Sequence, residues 1–286
     1  MTKDTDRILF VLVLYGCRLE ESASYTSLLA GLTDEHSNIF VYDNSPEPQQ
    51  ITISVGAYIS NTGNGGLGLA YNEACRYAEA NGYYWLLLLD QDTTFPPCAL
   101  SSYRHAADRH PEVEMIVPRH RISDGRYLSP TRYRMKTSSL QDSAPTGYVT
   151  FREAAPINSG IMVSVRSFTK AGGYDEQVFL DFSDIRFIEK YRRHYSSFYV
   201  MPDVVCIQQF SGTEQQSDKV FRRFKIYLKC AANYPKESLS DALALTVTTL
   251  RPTLSRTLRE RTLRYVKAWW KIYLMRKNKA WKRSLY

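Results

Sequence analysis

The feature that most constrains this chain is a rhythm in its first third. Short apolar runs at Ile8–Tyr15, Ile39–Tyr42 and Trp85–Leu89 alternate with longer polar stretches around Glu20–Leu32 and Leu67–Ala80. Apolar runs of about four to eight residues suit strands buried on both faces, and the segments between them are long enough for crossover helices. The pattern is βαβαβ, which predicts an α/β fold with a mostly parallel sheet flanked by helices. Ligands of such sheets bind outside the carboxyl ends of the strands.

Those ends carry polar residues here. Asp43-Asn44-Ser45 follows the second run and Asp90-Gln91-Asp92 follows Trp85–Leu89, so the crevice is expected between them. The intervening Asn61-Thr62-Gly63-Asn64-Gly65-Gly66-Leu67-Gly68 precedes a helix but has neither the Lys of a P-loop nor GxGxxG spacing. By itself it signals a tight turn and close backbone approach. Pro96-Pro97 suits the start of another helix, and the Ser-, Thr- and Tyr-rich stretch from Ile122 to Arg152 reads as loop. Beyond it come an apolar run Ile161–Val165, a Gly172-Gly173 turn, an acidic segment Asp181–Glu189 and a strand-like Ser197–Val200.

Residues 221–286 hold 17 Lys and Arg against 3 Asp and Glu, whereas residues 1–220 hold 20 against 26. The net charge of +8 therefore hides a tail of about +14 on a body of about −6. The tail is helical in pattern apart from Pro235 and Pro252. On a helical wheel Leu254, Leu258, Tyr265, Trp269, Ile272 and Tyr273 face one way, and Arg256, Arg264, Lys267 and Lys271 the other, a pattern that Leu263 and Trp270 break. The expected division is a body of residues 1–220 and a basic helical region of 221–286.

The eight-residue run after Lys3, Asp4, Asp6 and Arg7 reads as a buried first strand, since it lacks a small-residue cleavage site. No segment approaches the roughly 18 apolar residues of a spanning helix. Five scattered cysteines without a CxxC pair suggest a reducing cytoplasm, not a zinc ribbon or disulfide framework. The five histidines show no HExxH spacing, and no GxSxG or Cys/His signature points to a nucleophilic hydrolase.

Asp90-Gln91-Asp92 is the sharpest chemical signal. Residues two apart on a strand point the same way, so both carboxylates can converge on one ligand, and hard oxygen donors suit Mg²⁺ or Mn²⁺. A cation there would neutralise a diphosphate leaving group; a plain acidic strand cap is the alternative. Asp43 and Asn44 carry acceptors and donors for a nucleobase or ribose, although Asp43-Asn44-Ser45-Pro46 is also turn composition. Asp181, Asp184 and Glu189, with Asp175 and Glu176, lie among Tyr174, Phe179, Phe182 and Phe187. A carboxylate half-buried among aromatics can have a raised pKa and serve as a general base, while an exposed acidic helix face is the simpler reading.

Taken in order, these motifs resemble the family-two glycosyltransferases of the GT-A fold, especially their rhamnosyltransferase-like branch. The matching stretches are Phe10–Tyr15 with Gly16, Val41–Ser45, Asn61–Asn72, Leu89–Thr93, Asn158-Ser159-Gly160, and Gly172–Glu176 leading to Phe179–Asp184. The resemblance implies an inverting transferase acting with Mn²⁺ or Mg²⁺ on a dTDP- or UDP-sugar. The donor nucleotide would lie on Tyr15, Asp43, Asn44, Asn61, Asn72, Asp90 and Gln91, and the metal on Asp92 with Gln208. The sugar or acceptor pocket would be formed by Asn158, Ser159 and Gly160. Asp184, with Asp181 nearby, falls where the family keeps its base.

Two departures stand out. Asp184 is followed by Ile185 and Arg186 where the family usually has an acid two residues on, and Gln208-Gln209-Phe210-Ser211-Gly212 stands where it commonly has His-His-x-x-Gly. Glutamine is neutral and a poorer ligand.

The resemblance further implies dTDP-rhamnose as donor, a saccharide or lipid-linked acceptor in bacterial O-antigen or capsule synthesis, and a place on the inner face of the plasma membrane. There Trp269, Trp270 and Trp281 would meet anionic lipid; a packing helix serving a homodimer is the bland alternative, and nucleic-acid binding ranks last. Competing expectations for function are a galactofuranosyl- or other UDP-hexose transferase, or a degenerate membrane-associated binding protein. A sugar nucleotidylyltransferase fits less well, because Tyr15-Gly16-Cys17-Arg18 offers little of the basic Gly-rich signature expected after its first strand.

Overall fold

A computed structural model of the protein describes residues 7–32, 35–208 and 217–275. Of the segments singled out above, Gln209 to Gly212 and Trp281 lie outside them. In chain order the elements are β1 (Ile8–Leu14), β2 (Ile39–Asp43), β3 (Ala57–Ser60), α1 (Gly66–Ala80), β4 (Trp85–Asp90), β5 (Thr93–Thr94), α2 (Ala99–Arg109), β6 (Met115–Arg121), β7 (Tyr127–Ser129), β8 (Tyr133–Arg134), β9 (Thr137–Ser138), β10 (Gly147–Thr150), β11 (Met162–Ser164), α3 (Val165–Lys170), α4 (Ser183–Tyr191), β12 (Ser197–Gln208), α5 (Ser217–Asn233), α6 (Leu239–Glu260) and α7 (Arg264–Trp269).

The central sheet runs β10-β12-β6-β11-β4-β1-β2-β3, with β5 on β12 and β7 on β6. Strands β4, β1, β2 and β3 are mutually parallel, as the sequence rhythm requires. All seven residues of β1 are buried, which explains why it reads as an unbroken apolar run. The sheet is nevertheless mixed: β11 enters antiparallel between β4 and β6. It is turned by Gly160 at φ +76, where a Cβ would come within 2.6 Å of the Pro118 ring.

Each face of the sheet has its own apolar layer. One unites β1, β2 and β4 with α1, α3 and α4 through Ala70, Ala74, Phe168 and Phe187. The other packs Leu28, Leu29 and the α2 residues Ala99 and Tyr103 beneath Phe10, Leu12 and Leu87. The helix expected over Glu20–Leu32 is a 3-10 turn at Leu19–Glu21 followed by a π-helical turn at Tyr25–Leu29. The stretch expected to be loop from Ile122 to Arg152 contains the short strands β7 to β10. These are too brief and polar to show a period of two.

The tail departs from its expected pattern. Pro252 does not interrupt α6. The amide missing at a proline orphans the carbonyl four residues back, and the Tyr227 hydroxyl donates to that Thr248 oxygen at 3.0 Å. The break comes instead at Arg261, with φ 49, between α6 and α7. The single stripe drawn from Leu254 to Tyr273 is thus divided among α6, α7 and a π-helical turn at Trp270–Leu274. Tyr265 and Tyr273 are buried against protein. Val178, Phe179 and Phe182 of the body share a cluster with Cys230, Tyr234, Leu245 and Tyr273, so the tail is docked on the acidic loop.

Candidate active site

The ends of β1, β2 and β4 are joined by side-chain hydrogen bonds. Gln91 bridges the first junction, accepting from the Tyr15 amide at 2.7 Å and donating to its carbonyl at 3.2 Å. Ser45 Oγ accepts from the Gly16 amide at 2.9 Å. Asp43 accepts from the Ser45 amide at 2.9 Å, Gln49 Nε2 at 3.0 Å and the Tyr58 hydroxyl at 2.8 Å. Burial alone would raise the Asp43 carboxyl, but these hydrogen bonds outweigh it and hold it below its usual range. Asp43 is a fixed anion beneath the crevice.

Asn44 sets the glycine-rich loop: its Oδ1 accepts from the Gly65 amide at 3.0 Å and its Nδ2 donates to the Gly66 carbonyl at 3.4 Å. Gly66 sits at φ +83, and a Cβ there would lie 2.5 Å from the Phe179 carbonyl. Leu67 donates its amide to that same oxygen at 3.1 Å. The loop therefore joins Asn44 to the acidic segment with no room for a side chain. Asn61 donates to the Tyr42 hydroxyl at 2.9 Å. Asn72 is turned away to the Gly173–Glu176 turn, donating to the Tyr174 carbonyl and Glu176 and accepting from the Tyr174 amide.

Asp90 and Asp92 follow one another at the end of β4. Asp90 accepts the Tyr71 hydroxyl at 2.9 Å, and burial, then the Asp92 charge and more weakly that of Asp184, push its carboxyl up to about 7. Burial also raises Asp92, against a hydrogen bond from Gln208 Nε2 at 2.7 Å. The Gln208 oxygen accepts from Thr93 Oγ1 at 2.6 Å, and Thr93 meets Ser159 Oγ at 2.8 Å. Gln208, from the far strand β12, thus reaches the carboxylate pair with its amide nitrogen, while its oxygen is committed to Thr93.

Asn158 accepts the Tyr174 hydroxyl at 2.7 Å and donates to Ser183 Oγ at 3.2 Å. The Tyr174 ring packs on Tyr71 at 5.0 Å and stacks on Phe187 of α4 at 4.3 Å. This aromatic wall connects the partner of Asp90 to the helix that carries Asp184. Asp184 occupies the first turn of α4, which begins after Phe182 at φ 69, and its Oδ1 accepts the Ile185 amide at 2.7 Å. Burial first, then the Asp181 charge, push its carboxyl up to about 6. Asp181 is itself gripped by the guanidinium of Arg223 from α5, with one contact at 2.7 Å. A pocket of about 320 Å³ opens over these acids, walled by Asn158, Lys136, Tyr227 and Thr248.

The structure therefore brings Asp90, Asp92, Gln208 and Ser159 into one network, and Asp181, Asp184 and Asn158 into an adjoining pocket. Tyr71, Thr93, Gln49, Tyr58 and Arg223 complete the site without having been singled out in the sequence. Apart from Gln49, six residues from Asp43, they meet partners 15 or more positions away, and no local spacing marks them. For a divalent cation the donor set fits: Mg²⁺-type ions are commonly held by one or two carboxylates together with substrate phosphates. Asp92 and Asp90 are such a pair, and among the described residues no cluster of three His, Cys, Asp or Glu forms a closed cage.

The model of the family described as Glycosyl transferase family 2 matches residues 22–171, just over half of the chain. The chain belongs to glycosyl transferase family 2. The matched region of this glycosyltransferase contains the Asp90–Asp92 motif and ends before Asp181 and Asp184. A search of the curated proteins finds no match to the sequence. Among solved structures it is similar to TarS residues 1–349 of S. aureus in complex with UDP-GlcNAc, at TM-score 0.52 and 14% identity over 92% of this chain and 79% of that one. It is also similar to GalNAc-T7 with UDP, GalNAc and Mn²⁺, at TM-score 0.52 and 11% identity over 70% of this chain and 43% of that one. Both similarities are at the level of the fold.

Proposed function

We propose that this glycosyltransferase takes a sugar from a nucleoside-diphosphate donor and passes it, with inversion, to a hydroxyl presented in the pocket beside Asp184. The observation that carries this reading is the pairing of two acidic centres: Asp90 and Asp92 at the strand ends, and Asp184, pushed up to about 6, across the Tyr71–Tyr174 wall. Fold neighbours that bind UDP-GlcNAc, or UDP with Mn²⁺, support a nucleotide sugar as the donor class.

Asp43, Asn44 and Gln91 hold the strand ends where the nucleoside would lie, with Tyr15 and Asn61 at the rim and Asn72 keeping the Tyr174 turn in place. Asp92, with Asp90 beside it, would hold a divalent cation, whose charge would favour departure of the diphosphate. Gln208 fixes the Asp92 carboxylate, and Ser159 anchors Thr93. Asp184 accepts the proton of the acceptor hydroxyl as its oxygen attacks the anomeric carbon. The bond from that carbon to the diphosphate oxygen breaks on the opposite face, so one inversion results. A base with a pKa near 6 is ionised at neutral pH yet basic enough to take a proton in the transition state. Asp181, tied to Arg223, keeps negative charge near Asp184 and so supports its raised pKa.

The finer reading is dTDP-rhamnose as donor and a saccharide or lipid-linked acceptor of a surface polysaccharide, on the cytoplasmic face of the membrane. In this division residues 1–220 form the glycosyltransferase domain and 221–286 a basic helical region, which lends Arg223, Tyr227 and Thr248 to the wall of the Asp184 pocket. No described helix is long and apolar enough to cross a membrane. Release of nucleoside diphosphate from dTDP-rhamnose, UDP-galactose, UDP-galactofuranose and GDP-mannose, with Mn²⁺ and with EDTA, tests both levels. Metal-dependent turnover of one donor supports the transferase, turnover of dTDP-rhamnose supports the finer assignment, and turnover of another donor replaces it.

A further inference from the structure

Of thirteen large apolar side chains that are exposed among the described residues, nine lie between Leu239 and Met275. Five of them form one stripe along the 22-residue helix α6: Leu239, Leu243, Val247, Leu254 and Leu258, exposed by 85, 67, 49, 48 and 78%. Their spacing of four, four, seven and four residues keeps them within about a quarter to a third of the helix circumference. The opposite side of α6 is the one that packs, through Leu245, Thr249 and Thr253. Scattered exposed leucines are ordinary, but a row about 30 Å long on a helix that packs by its other side marks a contact surface.

Charge decides what the surface meets. Each described acid of the tail already faces a cation: Glu260 faces Arg264, Glu237 faces Arg186 and Arg193, and Asp241 faces Lys136. Arg251 flanks the stripe, and Arg259, Arg261, Lys267 and Lys271 follow it, all exposed. A second copy docked stripe to stripe would bring cation against cation. An anionic lipid surface offers apolar depth for the leucines and counter-charge for the basic rim.

We propose that the outer face of α6, not the Tyr265–Tyr273 face, is the surface through which the protein lies on anionic lipid. On the flank of the same helix, Thr248 lines the pocket that holds Asp181 and Asp184. Docking by α6 sets that pocket beside the lipid surface, where a lipid-linked hydroxyl would enter it. This last step rests on reading the pocket as the acceptor site.

Co-sedimentation of the full chain with vesicles of phosphatidylcholine alone, or mixed with phosphatidylglycerol, tests the proposal. Wild type is expected to bind the mixed vesicles and to be released by high salt. Leu243→Gln with Leu258→Gln should weaken binding about tenfold or more, since each change removes an exposed apolar side chain that the lipid would bury, and Arg251→Gln with Arg259→Gln should weaken it only on the anionic vesicles. Leu239→Gln with Leu254→Gln provides an independent second pair. Equal binding by wild type and both leucine pairs would overturn the proposal. So would a wild-type dimer in sedimentation velocity that the leucine changes dissociate, with no vesicle binding. Thermal stabilisation by nucleotide and Mn²⁺, measured on the same samples, reports on the donor site: its absence would count against the transferase reading, whereas vesicle binding alone decides the α6 surface.

Discussion

Gln208 at the end of β12 donates its side-chain amide to Asp92 just beyond β4, at 2.7 Å, and accepts the Thr93 hydroxyl on its other end. A residue 116 positions away thereby fixes the acid expected to hold the cation. With its oxygen committed to Thr93 and its nitrogen to Asp92, the role proposed for Gln208 is to position Asp92.

Gln208→Ala should therefore weaken Mn²⁺-dependent nucleotide binding by about tenfold or more, the worth of one charge-assisted hydrogen bond of about 1.5–3 kcal/mol. Metal-free binding should change little. Calorimetric titration with and without Mn²⁺ makes the comparison; an equal loss in both would assign Gln208 to the nucleotide itself.

Asp184→Asn should keep donor affinity within about twofold and lower transfer by at least about 10²-fold, the usual scale of a lost general base. The wild-type rate should rise with pH through about 6 and level off above it, following ionisation of Asp184. A rate independent of pH between 5 and 8, or an active Asn variant, would remove Asp184 from that role.

The same group makes a stability prediction of definite sign. Its folded pKa, about 6, lies above its ordinary 3.8. The stability it contributes is therefore complete below about 4 and is lost as pH rises through about 6, where the folded protein must give up a proton it holds more tightly than the unfolded chain does. Without ligand, Asp184→Asn should raise Tm at pH 8 by a few degrees and change it less at pH 4. A variant less stable than wild type at pH 8 would show the carboxylate to be favourably paired instead.

Gly66→Ala should be costly, because φ +83 and the Phe179 carbonyl 2.5 Å from the new Cβ oppose it together. Strain of this kind is worth about 1–3 kcal/mol, which lowers Tm by several degrees in a domain of this size. Ala in place of Gly125, where φ is +90 but nothing lies within 4 Å, isolates the backbone share of that cost.

What could be read in advance follows from where each interaction lies in the chain. Strands β1, β2 and β4 are buried on both faces, so their composition alone reveals them. The acids at their ends were legible because a polar residue after a buried strand has few other reasons to be there. Strand β6 escaped notice because only Met115–Val117 is apolar before Pro118 and the Arg119–Arg121 segment, and β3 is three half-buried residues and an exposed serine. Pro252 looked like a helix end because its compensation, the Tyr227 hydroxyl, comes from another helix. Lys136 gave no signal: it is buried in a turn at φ 59, where it meets Glu189 and Asp241 from α4 and α6.

The most direct test of the central claim is a thermal-shift panel of dTDP, UDP, GDP and CDP, each with Mn²⁺ or EDTA, on wild type and Asp92→Ala. A ligand that binds only the folded state raises Tm. One nucleotide should stabilise the wild type in Mn²⁺, lose most of that effect in EDTA, and lose it equally in Asp92→Ala. Stabilisation that survives both EDTA and the Asp92 substitution, or none from any nucleotide, would contradict a metal-assisted donor site at Asp90 and Asp92.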